Sequence, residues 1–158
     1  MIPLIVLVVL VLILAGLAQR FILVAKESFP FAKTKYFFSA AERSFFEVIR
    51  RLIPNHTVFA KVRLADLVRV TRSGSDWRSH QNRIDRKHVD FVICNNDLAP
   101  IIAVELDDSS HGEERRRSRD VFVDKVLAAA GIPIVRITAQ RGYQPDRLRE
   151  MLAPYLSV

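Results

Sequence analysis

The chain has 158 residues, half of them hydrophobic, and a formal net charge of +7; that length suits one globular domain with an appendage. Its single cysteine, Cys94, excludes an intrachain disulfide and fits a reducing compartment, where it reads as core. The sequence lacks zinc spacing, a phosphate loop, a dinucleotide fingerprint and a serine-nucleophile motif.

Ile2 to Ala18 is an uncharged apolar run of seventeen residues, and after Gln19 and Arg20 it resumes as Phe21 to Ala25. A helix needs roughly 20 apolar residues to cross a bilayer core, and snorkelling of Arg20 extends the span. A cleaved signal peptide is the rival, but no basic segment precedes the run. Residues 1–25 are therefore expected to be an uncleaved membrane anchor. Arg20, Lys26, Lys33 and Lys35 follow it against Glu27 alone. The positive-inside rule then predicts a single-pass protein of the inner (cytoplasmic) membrane, with its C-terminal domain in the cytoplasm. Every charged side chain lies after residue 19. The basic excess favours a polyanionic partner, nucleic acid or an anionic membrane surface; plain membrane-proximal basicity is the alternative.

Residues 26–38 read as a linker and 39–158 as the folded domain. Ser39 is the expected N-cap of a helix, with Glu42 completing a capping box and Phe38 as a hydrophobic staple. Phe45, Phe46, Val48, Ile49, Leu52 and Ile53 recur at helical spacing up to Pro54. Thr57 to Leu64 suits a strand, which the following LADLVRV either prolongs or leaves. Thr71 to Asn82 is polar and reads as a surface loop. Here Trp77 with Arg72, Arg78, Arg83 and Arg86 would grip nucleic acid by stacking and charge, or simply be solvated. His88 to Cys94 and Pro100 to Leu106 form a hairpin across Asn95 to Ala99. Ser118 to Ala130 is a helix closed by Gly131, Pro133 to Ala139 a strand, and Asp146 to Leu156 a last amphipathic helix. The order predicts an α/β sandwich, a mixed sheet with helices packed on it.

The chemistry concentrates in IIAVELDDSSH, residues 101–111, where an apolar strand runs into Glu105, Asp107, Asp108 and His111. Ionised carboxylates are costly to bury unless paired. Pairing Asn95 with Pro100 sets Asp90 opposite Glu105 on one face, with Cβ atoms ~5 Å apart. Two such carboxylates repel unless a cation lies between them, so Mg²⁺ or Mn²⁺ is the expected cofactor, with a substrate phosphate completing its shell. Such a metal would acidify a bound water and polarise a phosphoryl oxygen. Lys87, Lys125 and His111 are candidate basic groups to stabilise the developing charge. Alternatively, Arg115, Arg116, Arg117 and Arg119 neutralise Asp107, Asp108, Glu113 and Glu114 as a salt-bridged cluster. Arg117 and Arg119 also fall at the expected helix start, where the macrodipole disfavours cations and a phosphate would relieve the conflict; capping by Asp120 and Asp124 is the other explanation.

SAAERSFFEVIRRL, KVRLADLV, RIDRKHVDFVI, AVELDDSSH and RDVFVDKVLAAAGIPIVRI together resemble a bacterial family of unknown function within the restriction-endonuclease-like, PD-(D/E)XK, superfamily. The resemblance spans about Pro30 to Ile137. It implies an αβββαβ core, with Asp90 as the metal-binding aspartate and Glu105 as the acidic residue of the (D/E)XK motif. Glu42 matches an extra metal ligand of some members, although it is also the capping-box glutamate. Asp107 stands where the motif has lysine, and Lys125 is the expected substitute. Relatives with an ELDG-H pattern are similar at Glu105, Asp107 and His111. The resemblance implies a hydrolase of DNA phosphodiesters, in which Asp90, Glu105, Asp107, Lys125 and His111 serve the chemistry. With the anchor and the charge pattern, the expectation is a membrane-anchored enzyme whose Arg115, Arg116, Arg117, Arg119 and Lys87 hold the nucleic acid. The alternatives are a catalytically inactive module that binds nucleic acid or a partner protein at the membrane, and a structural scaffold.

Overall fold

A computed structural model describes residues 2–25, 29–107 and 113–156, and the side chains at 2, 21–25 and 113–120 fall outside that description. The chain divides into two compact units, Met1–Phe37 and Phe38–Val158.

The first unit carries α1, Ile2–Ala25. Its 24 residues make about 36 Å of helix against a bilayer core of about 30 Å. The span Pro3–Arg20 is apolar enough to cross a membrane, a property that a signal sequence shares.

The second unit is a mixed α/β domain. Helix α2 (Ala40–Leu52) opens on the predicted capping box: the Glu42 N–H donates to Ser39 Oγ, and the Ser39 N–H donates to Glu42 Oε2 at 2.6 Å. The Phe38 ring packs on Phe46 of the helix and on Phe91 of the sheet, with centroids 5.2 and 5.8 Å away. Strand β1 (Thr57–Arg63) ends where the chain bends into the single-turn helix α3 (Leu64–Leu67). The expected polar loop gives way to helix α4 (Trp77–Asp85), anchored by one buried residue, Ile84. Strands β2 (His88–Cys94) and β3 (Pro100–Asp107) follow, then helix α5 (Glu113–Ala129), β4 (Ile134–Thr138) and helix α6 (Pro145–Leu156). Helix α5 starts five residues before the expected Ser118, so Arg117 and Arg119 fall in its second turn. The macrodipole acts within the first turn, which removes the argument for a phosphate beside those two arginines. Gly131 closes this segment with φ +73.

The four strands lie in the order β1-β2-β3-β4, antiparallel except for the parallel β3–β4 pair. Phe91 pairs with Val104, Val92 with Ala103 and Ile93 with Ile102. At the turn the register shifts, and Cys94, rather than the expected Asn95, pairs with Pro100. Asn95 Oδ1 accepts from the N–H groups of Asp97 and Ala99, which tightens the loop.

Two cores flank the sheet. One gathers Phe45 and Ile49 of α2, Leu148 and Leu152 of α6, and Phe91, Ile102 and Val104. The other gathers Leu64, Ile84, Val89, Val92, Ala103, Val123 and Leu127. Alternation along a strand should keep Val89 with Phe91, and Ala60 with Val62. Instead Ala60 and Phe91 face the first core, while Val62 and Val89 face the second. The change of face falls at Lys61 in β1 and Asp90 in β2. Lys61 has φ 53, a left-handed backbone that costs a non-glycine residue about 1–2 kcal/mol.

Candidate functional site

The turnover of the strands positions the charged residues. Between the Ala60–Phe91 and Val62–Val89 pairs, the ladder skips Lys61 and Asp90, which the register sets opposite one another. The β2–β3 ladder ends at Phe91–Val104, and Asp90 and Glu105 are the next residue on each strand. Glu105 in turn pairs with Arg136 of β4. A row of charged residues, Lys61, Asp90, Glu105 and Arg136, thus crosses all four strands. The shift at Cys94 is confined to the turn, and the hairpin body keeps the expected offset as far as Phe91–Val104; Asp90 and Glu105 lie one step past that last pair, where β2 changes face.

Each end of the row is ion-paired. Lys61 Nζ lies 2.7 Å from Glu42 Oε1, so α2 is tied to β1, and both Glu42 oxygens are engaged, Oε2 by the Ser39 N–H. Burial pushes the Glu42 carboxyl up. Hydrogen bonds from Lys61 and Ser39, with the lysine's charge, outweigh it and hold the group below its ordinary range. At the other end Arg136 makes a two-pronged contact with Asp124 of α5, Nη2–Oδ1 at 2.7 Å and Nη1–Oδ2 at 3.3 Å. Its Nε is 4.0 Å from Asp107 Oδ2. Glu105 and Asp107 share the face of Ala103, toward α5.

Asp90 stands between these ends. Its half-buried carboxylate accepts the Leu106 N–H at Oδ2, 2.8 Å away. A side chain therefore replaces a ladder partner where β2 and β3 part. Among the described residues Oδ1 has no hydrogen-bond partner. Tyr143, whose ring meets Phe45 edge-on at 5.6 Å, lies within reach of this carboxylate's field. Burial pushes the tyrosine hydroxyl up, and the Asp90 charge adds to that. Its oxygen also accepts the Gln140 N–H at 3.0 Å.

The structure brings Asp90, Glu105 and Asp107 to one end of the sheet, with Glu42 held through Lys61. It does not bring Lys125 there. Val123 and Leu127 turn α5 onto the second core, and Lys125 lines a groove with Leu67, Arg72 and Arg83. Lys87 is half-buried, its Nζ 5.5 Å from the centre of the Phe122 ring. Asp108 and His111 lie outside the described residues, as do the side chains of Arg115, Arg116, Arg117 and Arg119. Trp77 and Arg83 sit on a helix rather than a loop, and Arg83 stacks over Phe122 at 4.1 Å. Lys61, Arg136 and Tyr143 are the site residues that sequence reasoning missed. Among the described residues no group of three or more His, Cys, Asp or Glu is placed to hold a metal ion.

Fold and site together define a mixed α/β domain with a paired charge row across its sheet. Over residues 34–155 the chain matches the family described as "Protein of unknown function (DUF2726)", and it belongs to that family. No curated protein and no solved structure matches the chain.

Proposed function

We propose that the domain is a metal-dependent phosphodiesterase of restriction-endonuclease-like, PD-(D/E)XK, type acting on DNA. In this reading α1 holds it at the inner membrane, and the basic residues after α1 place it on the cytoplasmic side. The observation that carries the reading is Asp90, a half-buried carboxylate fixed by the Leu106 N–H one step past the last β2–β3 pair, where Glu105 is the next residue of β3. The element order α2, β1, β2, β3, α5, β4 supports it too, since it follows the αβββαβ pattern.

The donor set is chemically suited to a hard cation. Asp90, Glu105 and Asp107 offer carboxylate oxygens, the preferred ligands of Mg²⁺ or Mn²⁺, with waters and substrate phosphate filling the rest of the shell. Such an ion, when bound, supplies Lewis acidity and an acidified water. Asp90 contributes an oxygen pre-aimed by its backbone bond. Glu42 holds Lys61 rather than a metal, and Lys61 supplies the positive charge that Asp107 cannot give at the motif's lysine position. Arg136 orients Asp107.

The test is cleavage of DNA by the full chain in detergent with Mg²⁺ or Mn²⁺, wild type against Asp90→Asn. Asparagine keeps an acceptor for the Leu106 N–H and removes the charge. Loss of cleavage with an unchanged melting temperature is expected. No cleavage by the wild type across metals and DNA forms overturns the activity. The second reading, an inactive module that binds nucleic acid or a partner, is favoured by the ion-pairing of Asp107 and Asp124 with Arg136. It predicts DNA binding that survives both Asp90→Asn and chelation.

A further inference from the structure

Beyond α3 the chain passes α4 and the C-terminal half of α5, and the three segments border an open groove of about 810 Å³. That volume lies within the range of pockets that bury most of a ligand. Its floor is aliphatic, built from Val68, Val70, Ile84, Val126 and Ala129. Its rim carries Arg69, Arg72, Arg83 and Lys125, all exposed, and among the described residues no carboxylate lines it. Among the described residues none of these four cations has an ion-pair partner. Like charges gathered around open apolar surface repel one another and leave that surface wet, and both costs vanish under an occupant that is apolar in the middle and anionic at its edges.

We propose that this groove docks an acidic amphipathic helix of a partner protein. Such a helix places apolar residues at i, i+3, i+4 and i+7 on one stripe, with carboxylates on the flanks to meet the rim. Charge complementarity between those flanks and the rim fixes the sign of the partner. A nucleic-acid strand would bring anions but seeks open aromatic faces for its bases. The groove's aromatic ring, Phe122, already carries the Arg83 guanidinium at 4.1 Å from its centre and Lys87 Nζ at 5.5 Å. A lipid acyl chain needs enclosure, whereas Arg69, Thr71, Arg72 and Ala129 are all exposed along this cleft. The inference does not depend on the metal reading: Lys125 lines the groove, while its neighbour Asp124 is engaged with Arg136.

The experiment selects binders from a random peptide display library, each peptide long enough for about four helical turns. The bait is the full chain in phosphatidylcholine nanodiscs, and the library is first cleared on empty discs. Enriched peptides are expected to combine the apolar i, i+3, i+4, i+7 pattern with acidic flanks. Their affinity should fall about tenfold or more in the Arg72→Glu/Arg83→Glu variant, and likewise in Ala129→Trp, which fills the groove from an exposed helix position. Lys125→Glu provides a third, independent rim change. Failure to enrich, enrichment of peptides without acidic residues, or indifference to all three variants overturns the proposal. So does displacement of the peptides by an oligothymidylate strand whose own binding the same variants abolish, which would make the groove a nucleic-acid interface.

Discussion

Lys61 of β1 and Glu42 of α2 are nineteen positions apart in sequence and 2.7 Å apart in space. Their pair fastens the first helix to the sheet at the one residue of β1 whose backbone is left-handed. It also makes Glu42 serve two masters, the helix cap and the strand.

That double duty has a pH signature. Burial raises the Glu42 carboxyl and the Lys61 and Ser39 bonds more than offset it, so the folded value lies below the ordinary 4.5. The unfolded chain therefore binds this proton more readily. Stability from Glu42 is fully present above the unfolded value and drains as pH falls through the folded one. Glu42→Gln keeps the capping geometry and removes the charge. As pH falls below 5, the melting temperature of the full chain should drop less steeply in Glu42→Gln than in wild type. Parallel curves would show that the pair contributes nothing.

Asp90 has a structural duty separable from any chemistry. Asp90→Ala strands the half-buried Leu106 N–H, and losing such a hydrogen bond costs about 1 kcal/mol. Asp90→Asn retains an acceptor and should stay close to wild type. Urea unfolding of both variants checks the difference, and equal loss in the two would place the effect in the charge.

Phe45 is fully buried and its ring lies 4.9 Å from that of Phe91. Phe45→Ala should cost about 3–5 kcal/mol by leaving a cavity between α2 and the sheet. Val121, exposed on α5, is the control: Val121→Ala should change stability by about 0.5 kcal/mol or less. A small effect at Phe45 would mean that the first core collapses around the gap.

Gly131 has φ +73 and no neighbour within 4 Å of an added Cβ. Gly131→Ala therefore meets only backbone strain, about 1–2 kcal/mol. Gly142→Ala, at an open position without positive φ, should be near neutral. Thermal melts of the two variants side by side distinguish strain from a general intolerance of change.

Local rules recovered the capping box on α2, the four strands and the offset of the β2–β3 hairpin, because each follows from short-range chemistry or a period of two. Helix α4 escaped them. Its segment is polar, follows Gly74 and Ser75, and buries Ile84 alone, so no apolar stripe announces it. Lys125 was misplaced for a reason the sequence did contain. It stands roughly 200° around the helix from Val123, which is core. The role of Lys61 was hidden because VFAKVR reads as plain alternation. A left-handed residue within a strand is set by the tertiary pairing of β1 with β2, not by its neighbours in sequence. His111 and the side chains of Arg115, Arg116, Arg117 and Arg119, expected to hold nucleic acid, fall outside the described residues, so the geometry does not bear on them.

The turnover at Lys61 means that β1 packs Val58 and Ala60 into the core with α2 and Val62 into the core with α5, while β2 feeds both cores along its length. Neither layer can melt while leaving those strands intact for its neighbour. The domain should behave as a single cooperative unit, with its slowest-exchanging amides in the stretch that both layers share.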